Sequence, residues 1–291
     1  MANAPAAAPR GPDFLCIGVT KGGTSWLYGN LPDHPAIWLP PIKELRYFNT
    51  IHLEGPHQQT DVAHRAQLIE ARRARLLAGG EALSPRRQRL LACLDAMADG
   101  PQSDDWYGRI FTFRGPRQLA GDISPQYAVL PEAGIRHALA LNPALKVIAL
   151  LREPAARTLS HIAMHLGPEA TVEQVLQVAR SPRWPAYARH SDYATWLSRW
   201  RDALPPGALH IDTMGRIGRE PLAVLEGVCG FLGVPAPPGT FARAAERVNA
   251  GRGDRNRLAA ALPALRAALA PAYAALQAEW PDLARRLAEE E

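Results

Sequence analysis

Residues 146–151 read Lys-Val-Ile-Ala-Leu-Leu, an apolar run with no alternation of polar side chains. A strand of that pattern must be covered on both faces, which is the situation of an interior strand in a parallel sheet. It ends at Arg152-Glu153-Pro154, and a helix is expected over 154–166, with proline in its first turn. A second run, Asp13–Val19, ends in Thr20-Lys21-Gly22-Gly23-Thr24-Ser25 and leads into Trp26-Leu27-Tyr28, again strand, glycine turn and helix start. Further strands are expected at 36–39, 119–123 and 209–212, and helices at 131–141, 172–179, 194–203, 221–231 and 258–287. Strand and helix in alternation imply parallel pairing through right-handed crossovers. The fold class is therefore α/β, a central parallel sheet flanked by helices.

Between the second and third strands, Asp61–Ala98 has a helical pattern rich in Arg and Leu, broken near Gly79-Gly80 and Ser84-Pro85. Residues 60–117 are expected to form a largely helical insertion with a solvated amphipathic character. The end of the chain reads as an Ala/Leu/Arg helical tail that packs. Residues 1–11, rich in Ala and Pro, are expected to be disordered, and 12–291 to form one domain.

The formal charge of +5 favours anionic partners but is too small on 291 residues to indicate nucleic acid. Cys16, Cys93 and Cys229 are far apart, odd in number and without metal-ligand spacing, so neither a disulfide framework nor a metal site is expected. No apolar run approaches the roughly 20 residues of a membrane span, and the start lacks signal-peptide character, so a cytoplasmic location is expected. Of the 33 basic side chains only Lys21, Lys43 and Lys146 are lysines. In a chain that uses arginine almost everywhere, each lysine invites a reason, because a compact ammonium and a planar guanidinium serve different anion sites.

Two of the three lysines fall in motifs. Gly22 and Gly23 let backbone N–H groups approach an oxyanion at the start of a helix, and Lys21, Thr24 and Ser25 add a cation and two hydroxyls. Lys21 precedes the glycine pair, whereas an ATP-type loop has its lysine after the last glycine and directly before Ser or Thr. The turn is thus P-loop-like without being a standard ATP loop, and a purely structural turn is the plain alternative. The other strand delivers Arg152 at its carboxyl end, with Arg157 and Ser160 on the following helix. Open parallel sheets bind ligands at that end, so Arg152 and Ser160 can meet one phosphate beside the first loop; a surface charge is the alternative.

Together these stretches resemble the sulfotransferases that use 3′-phosphoadenosine 5′-phosphosulfate (PAPS). Val19–Leu27 looks like their 5′-phosphosulfate loop, and Leu151–His161 looks like their 3′-phosphate motif. Pro40–Phe48, with Lys43-Glu44, is similar to the stretch carrying the catalytic carboxylate in the heparan-sulfate-type branch. The resemblance implies that Lys21, Gly22, Gly23, Thr24 and Ser25 bind the 5′-phosphosulfate, with Lys21 near the oxygen that becomes charged as sulfate leaves. It implies that Arg152 and Ser160 hold the 3′-phosphate, and that Arg252, in a late loop at 249–253, contacts donor phosphates. Trp26 aligns with a tryptophan that stacks on adenine, although a first-turn Trp is also ordinary core. Glu44 is implied as the general base and Lys43 as a charge that neutralises sulfuryl oxygens or tunes Glu44. PAPS would be co-substrate, 3′-phosphoadenosine 5′-phosphate (PAP) the product, and no metal would be needed.

The acceptor, a hydroxyl or amine on a small molecule or saccharide, is expected between segments 61–117 and 181–200, where Trp106, Tyr107, Trp184 and Tyr187 can stack or merely pack. Asp122 stands near the place where heparan-type relatives often have lysine, which argues against a heavily anionic polysaccharide. Asp122 can contact an acceptor hydroxyl or amine, or satisfy a loop. His161 and His165 have zinc-compatible spacing but no third ligand, so a helix-face role is expected. The rival function is a nucleotide kinase or NTPase with an atypical loop. It would need a Mg²⁺-binding Ser/Thr after the loop lysine and a strand-end Asp, where the chain has Gly22 and Arg152.

Overall fold

A computed structural model describes residues 11–53, 57–78, 83–99, 102–246 and 255–290, without the side chains of 57–62 and 255–256. The expected disordered start lies outside the described residues except for Gly11, which is buried, and Arg252 lies outside them altogether.

Five strands form one parallel sheet: β1 (Phe14–Gly18), β2 (Ile37–Trp38), β3 (Leu119–Ile123), β4 (Lys146–Leu151) and β5 (Leu209–Thr213). Their order is β2-β3-β1-β4-β5. All pairings are parallel. The unalternating apolar runs of β1 and β4 are explained by the two faces they serve. Leu15, Ile17, Val147, Ala149 and Leu151 enter one apolar cluster, while Phe14, Cys16, Ile148 and Leu150 enter another. Successive side chains point to opposite faces and both faces are covered by helices, so every position favours an apolar residue.

The helices are α1 (Thr24–Asn30), α2 (Tyr47–His52), α3 (His57–Leu77), α4 (Pro85–Ala98), α5 (Asp104–Phe111), α6 (Glu132–Leu141), α7 (Pro154–Leu166) and α8 (Val172–Ala179), followed by α9 (Trp184–Ala188), α10 (Tyr193–Ala203), α11 (Met214–Arg219), α12 (Pro221–Leu232), α13 (Leu262–Ala268), α14 (Ala270–Glu279) and α15 (Pro281–Ala288). The insertion is helical, as α3, α4 and α5. It is more than a solvated layer, since Ile69, Leu76, Leu94 and Ile110 join the main core.

The single tail helix expected over 258–287 is broken into pieces. Proline lies in the first turn of α13, α14 and α15, where its missing N–H is tolerated at a helix start but would break an interior. No single helix among the described residues is long and apolar enough to cross a membrane, and the one apolar pair, Arg257–Ala268 with Ala270–Glu279, is bent by 65°. Lys146 has its reason here. Its ammonium donates to the Phe231 and Leu232 carbonyls at 2.7 and 3.1 Å, satisfying the acceptors left open at the end of α12.

The chain begins in the middle of the sheet with β1, crosses to β2 and β3 on one side, and then passes to β4 and β5 on the other. The connections leaving β1 and β4 therefore diverge, which opens a crevice at the carboxyl ends of these two neighbouring strands.

Candidate active site

The loop leaving β1 is tied to β4, with Val19 N–H donating to the Leu150 carbonyl at 2.6 Å. Lys21 and Arg152 thus each leave the sheet two residues beyond this bonded pair. Gly22 has no room for a side chain, because a Cβ there would lie 2.3 Å from the Leu150 carbonyl oxygen. Gly23 has φ 102° and caps α1 with no side chain bonded to its first turn. Lys21 itself takes φ 73°, a conformation unusual for a residue with a Cβ and characteristic of functional turns. The result is a backbone cradle packed directly on the neighbouring strand. With only seven residues in α1, the positive field of the cradle comes mainly from side chains.

Lys43 supplies much of it. Its ammonium donates to Ser25 Oγ at 2.9 Å and Thr24 Oγ1 at 3.3 Å. The same nitrogen stands 3.1 Å from Glu44 Oε1. Arg46 closes on the other carboxylate oxygen, with Nη2 at 2.6 Å and Nε at 3.2 Å from Glu44 Oε2. Burial by itself would raise the Glu44 pKa, but the charges and hydrogen bonds of Lys43 and Arg46 together outweigh it and hold the carboxyl below its usual range. Glu44 is therefore ionised at neutral pH, with a quarter of its side chain still exposed.

The segment carrying Glu44 is held by its backbone. Glu44 and Arg46 both have positive φ, 64° and 53°. Glu44 N–H donates to the Ile123 carbonyl at 3.1 Å and Arg46 N–H to Ser124 Oγ at 3.3 Å. Behind them lies Asp122, 1% exposed. Its carboxylate accepts from Ser124 Oγ at 2.8 Å, Tyr127 OH at 2.9 Å and Tyr107 OH at 3.0 Å, and from the Leu45 N–H. Burial pushes its pKa up to about 6 despite these donors. Asp122 thus satisfies the loop and has no exposed surface for an acceptor, so its presence says nothing against an anionic one.

On α7, Met164 Sδ lies 3.9 Å from Lys21 Nζ. Ser160 is one helical turn before Met164 and so belongs to the same helix face, beside the cradle. Arg152 is partly exposed at the end of β4, and its carbonyl accepts from Tyr193 OH at 2.6 Å. Glu153 caps α7 through Ala156 N–H at 2.6 Å. Arg157 points the other way. It is fully buried and donates to Ser191 Oγ at 2.7 Å, the Tyr187 carbonyl at 2.7 Å and Thr158 Oγ1 at 3.0 Å. Its role is structural bracing. His161 and His165 bond to Arg157 and Tyr187 rather than to a common point, and no group of metal-ligating side chains occurs among the described residues. Burial, then the charge of Arg157, pushes the His161 pKa down to about 3, leaving it neutral.

Trp26 is only 6% exposed, sits in the apolar cluster below β1 and gives its indole N–H to the Ala244 carbonyl at 2.8 Å. Its ring is committed to the core, so stacking on adenine would require it to leave that place. Trp106, Tyr107 and Tyr187 are likewise packed, at 3%, 0% and 3% exposure. Trp184 is half-buried against the apolar cluster to which α7 and α8 contribute.

Glu44 opens instead into a cleft of about 440 Å³ bounded by α3, with Lys43, Arg46, Arg65, Arg72 and Arg75 on its wall. Arginine 46 and the α3 arginines are the functional candidates that motif inspection passes over. Arg46 lies inside the Pro40–Phe48 stretch, and the only signal for Arg72 and Arg75 is the Ala71-Arg72-Arg73-Ala74-Arg75 run, which a solvated helix face displays equally well.

Residues 12–238 match the profile of the Sulfotransferase family. The chain belongs to that family. It is 29% identical over 235 residues to human heparan sulfate glucosamine 3-O-sulfotransferase 5, covering 77% of this chain and 54% of that protein. The mouse protein of the same name is 30% identical over 142 residues, which are 45% of this chain and 40% of the relative. The matched region thus spans about half the length of these relatives. The fold agrees with solved sulfotransferases. One from Alicyclobacillus acidocaldarius has a TM-score of 0.58 at 21% identity, covering 92% of this chain and 94% of its own. The sulfotransferase domain of the Synechococcus PCC 7002 olefin synthase has a TM-score of 0.54 at 17% identity, covering 89% and 86%.

Proposed function

We propose that this sulfotransferase takes its sulfuryl group from PAPS and delivers it to a hydroxyl or amine of a small-molecule or saccharide acceptor, with Glu44 as general base. The observation that carries this reading is the single ammonium of Lys43, which joins the Thr24 and Ser25 hydroxyls of the cradle to the Glu44 carboxylate. Donor cradle and candidate base are thereby one hydrogen-bonded unit.

The cradle fits an anionic donor. Gly22 and Gly23 leave no side chain between backbone and ligand, and Lys21, Lys43, Thr24 and Ser25 supply charge and donors. Arg152 and Ser160, from the neighbouring strand end and the α7 face beside the loop, are the groups for a 3′-phosphate. In the reaction the acceptor heteroatom forms a bond to sulfur while the bond from sulfur to the bridging phosphate oxygen breaks. The electron pair leaves with PAP and the acceptor proton goes to Glu44. Little covalent work falls to the protein, which positions the reactants and stabilises charge on the leaving oxygen through Lys21. An anion that attracts Lys43 also weakens its hold on Glu44, which raises the basicity of that carboxylate when donor is present.

Calorimetric titration with PAP, 5′-AMP and Mg-ATP tests the donor without an acceptor. Tight binding of PAP with a large loss for 5′-AMP is expected. Preference for Mg-ATP, or no binding of PAP, overturns the reading.

A further inference from the structure

The cleft beside Glu44 holds more positive charge than its carboxylate uses. Lys43 and Arg46 are paired with Glu44, and Arg65 is buried, donates to the Leu45 carbonyl and lies 5.2 Å over the Trp106 ring. Arg72 and Arg75 have no such partner among the described residues. They stand three residues apart on α3 and line the cleft together. Arg73, between them, turns away and pairs with Asp95 at 2.6 Å and Glu70 at 3.5 Å. Among the described residues no carboxylate pairs with Arg72 or Arg75. The Nε of Arg72 is also buried without a hydrogen-bond partner, a condition that native structures generally relieve with a ligand or water.

The rest of the wall is mostly apolar, His64 being the exception. Tyr28, Pro41, Ile42, Leu68 and Ala71 line the same cleft, and Leu68 is one of the few large aliphatic side chains left 37% exposed. A volume of about 440 Å³ is that of a small-molecule site.

We infer that the acceptor is a small molecule joining an oxyanion, a carboxylate or a phosphate ester, to an apolar body. The forked guanidinium of Arg72, assisted by Arg75, takes the oxyanion, since planar donor pairs match both groups. The apolar body lies on Ile42 and Leu68, and the nucleophilic end is left at Glu44. This rests on Glu44 marking the catalytic end of the cleft. An extended polysaccharide is the competing occupant, and it is disfavoured by the mostly apolar wall.

The test is calorimetry on the PAP-saturated protein with four probes: 4-hydroxyphenylacetate, its neutral amide, phenyl phosphate and a heparan-type oligosaccharide. At least one small anion should bind about tenfold or more tightly than the amide. Arg72→Gln should abolish that advantage, Arg72→Lys should keep part of it, and PAP affinity should not change in either. The relative strength of the carboxylate and the phosphate ester identifies which oxyanion the site prefers. Equal or undetectable binding of anions and amide overturns the inference, as does an advantage that survives Arg72→Gln, or binding of the oligosaccharide alone. Should PAP itself not bind, the donor assignment fails, and the same comparison on ligand-free protein and Arg72→Gln still decides the anion site.

Discussion

The two halves of the candidate site are built in different ways. The proposed donor half takes its shape from backbone, though its charge comes from side chains: two loops leaving adjacent parallel strands, a glycine that cannot bear a Cβ, and a lysine at positive φ. The proposed acceptor half is made by side chains on α3, which asks nothing of its backbone except to be helical. A backbone-made site tolerates few sequences and recurs wherever the chemistry recurs. A side-chain-made site can be rewritten residue by residue without disturbing the fold, so the insertion is where specificity can diverge.

Glu44→Gln sharpens this division most. Glu44 belongs to neither cradle nor α3 but to the seam between them, through Lys43. Removing a general base at this place is expected to lower transfer by about 10²- to 10⁴-fold, while PAP affinity in calorimetry stays close to that of the parent protein. Because the Glu44 pKa is depressed in the free protein, kcat/KM of the parent should persist from neutral pH into the acid range and fall only below the ordinary carboxylate pKa. Full activity in the variant would mean that another group takes the proton.

Arg152→Ala tests the donor half alone. Loss of a charged partner from a phosphate site costs about 2–4 kcal/mol, so PAP should bind about 30- to 1000-fold more weakly, with little change for 5′-AMP. Equal losses for the two nucleotides would remove Arg152 from the 3′-phosphate, and a parallel loss for the small anions would break the separation between the halves.

The same division explains what could be read from the chain before its structure. The unalternating runs of β1 and β4 and the glycine pair state their geometry directly, since burial on both faces and the absence of a Cβ are properties of residue type. Burial of individual polar or aromatic side chains is not. Trp26 and Arg157 lie inside motifs associated with nucleotide binding, yet the first is core and the second a brace fixed by Ser191 and Tyr187. Arg72 and Arg73 are adjacent in sequence and opposite in role, because one faces the cleft and the other faces Asp95. The short α2 was missed for a related reason. Its start depends on Arg46 taking a left-handed conformation next to the β3 carboxyl end, which no local propensity predicts.

Asp122 gives the smallest and most specific test, because it acts on the seam from behind. Its folded pKa is raised by burial from 3.8 to about 6, so between these values the folded protein binds a proton that the unfolded chain does not. Stability contributed by that proton is present at low pH and is lost as pH rises through about 6. The change between pH 4.5 and pH 7 is on the order of 2 kcal/mol. Asp122→Asn removes the titration, so chemical denaturation of the two proteins should show the parent losing ground to the variant across that interval, with the difference flat above it. A constant difference at every pH would mean that Asp122 titrates normally. It would also mean that Tyr107, Tyr127, Ser124 and Leu45 hold a carboxylate already ionised throughout, which would make the support beneath Glu44 insensitive to acid.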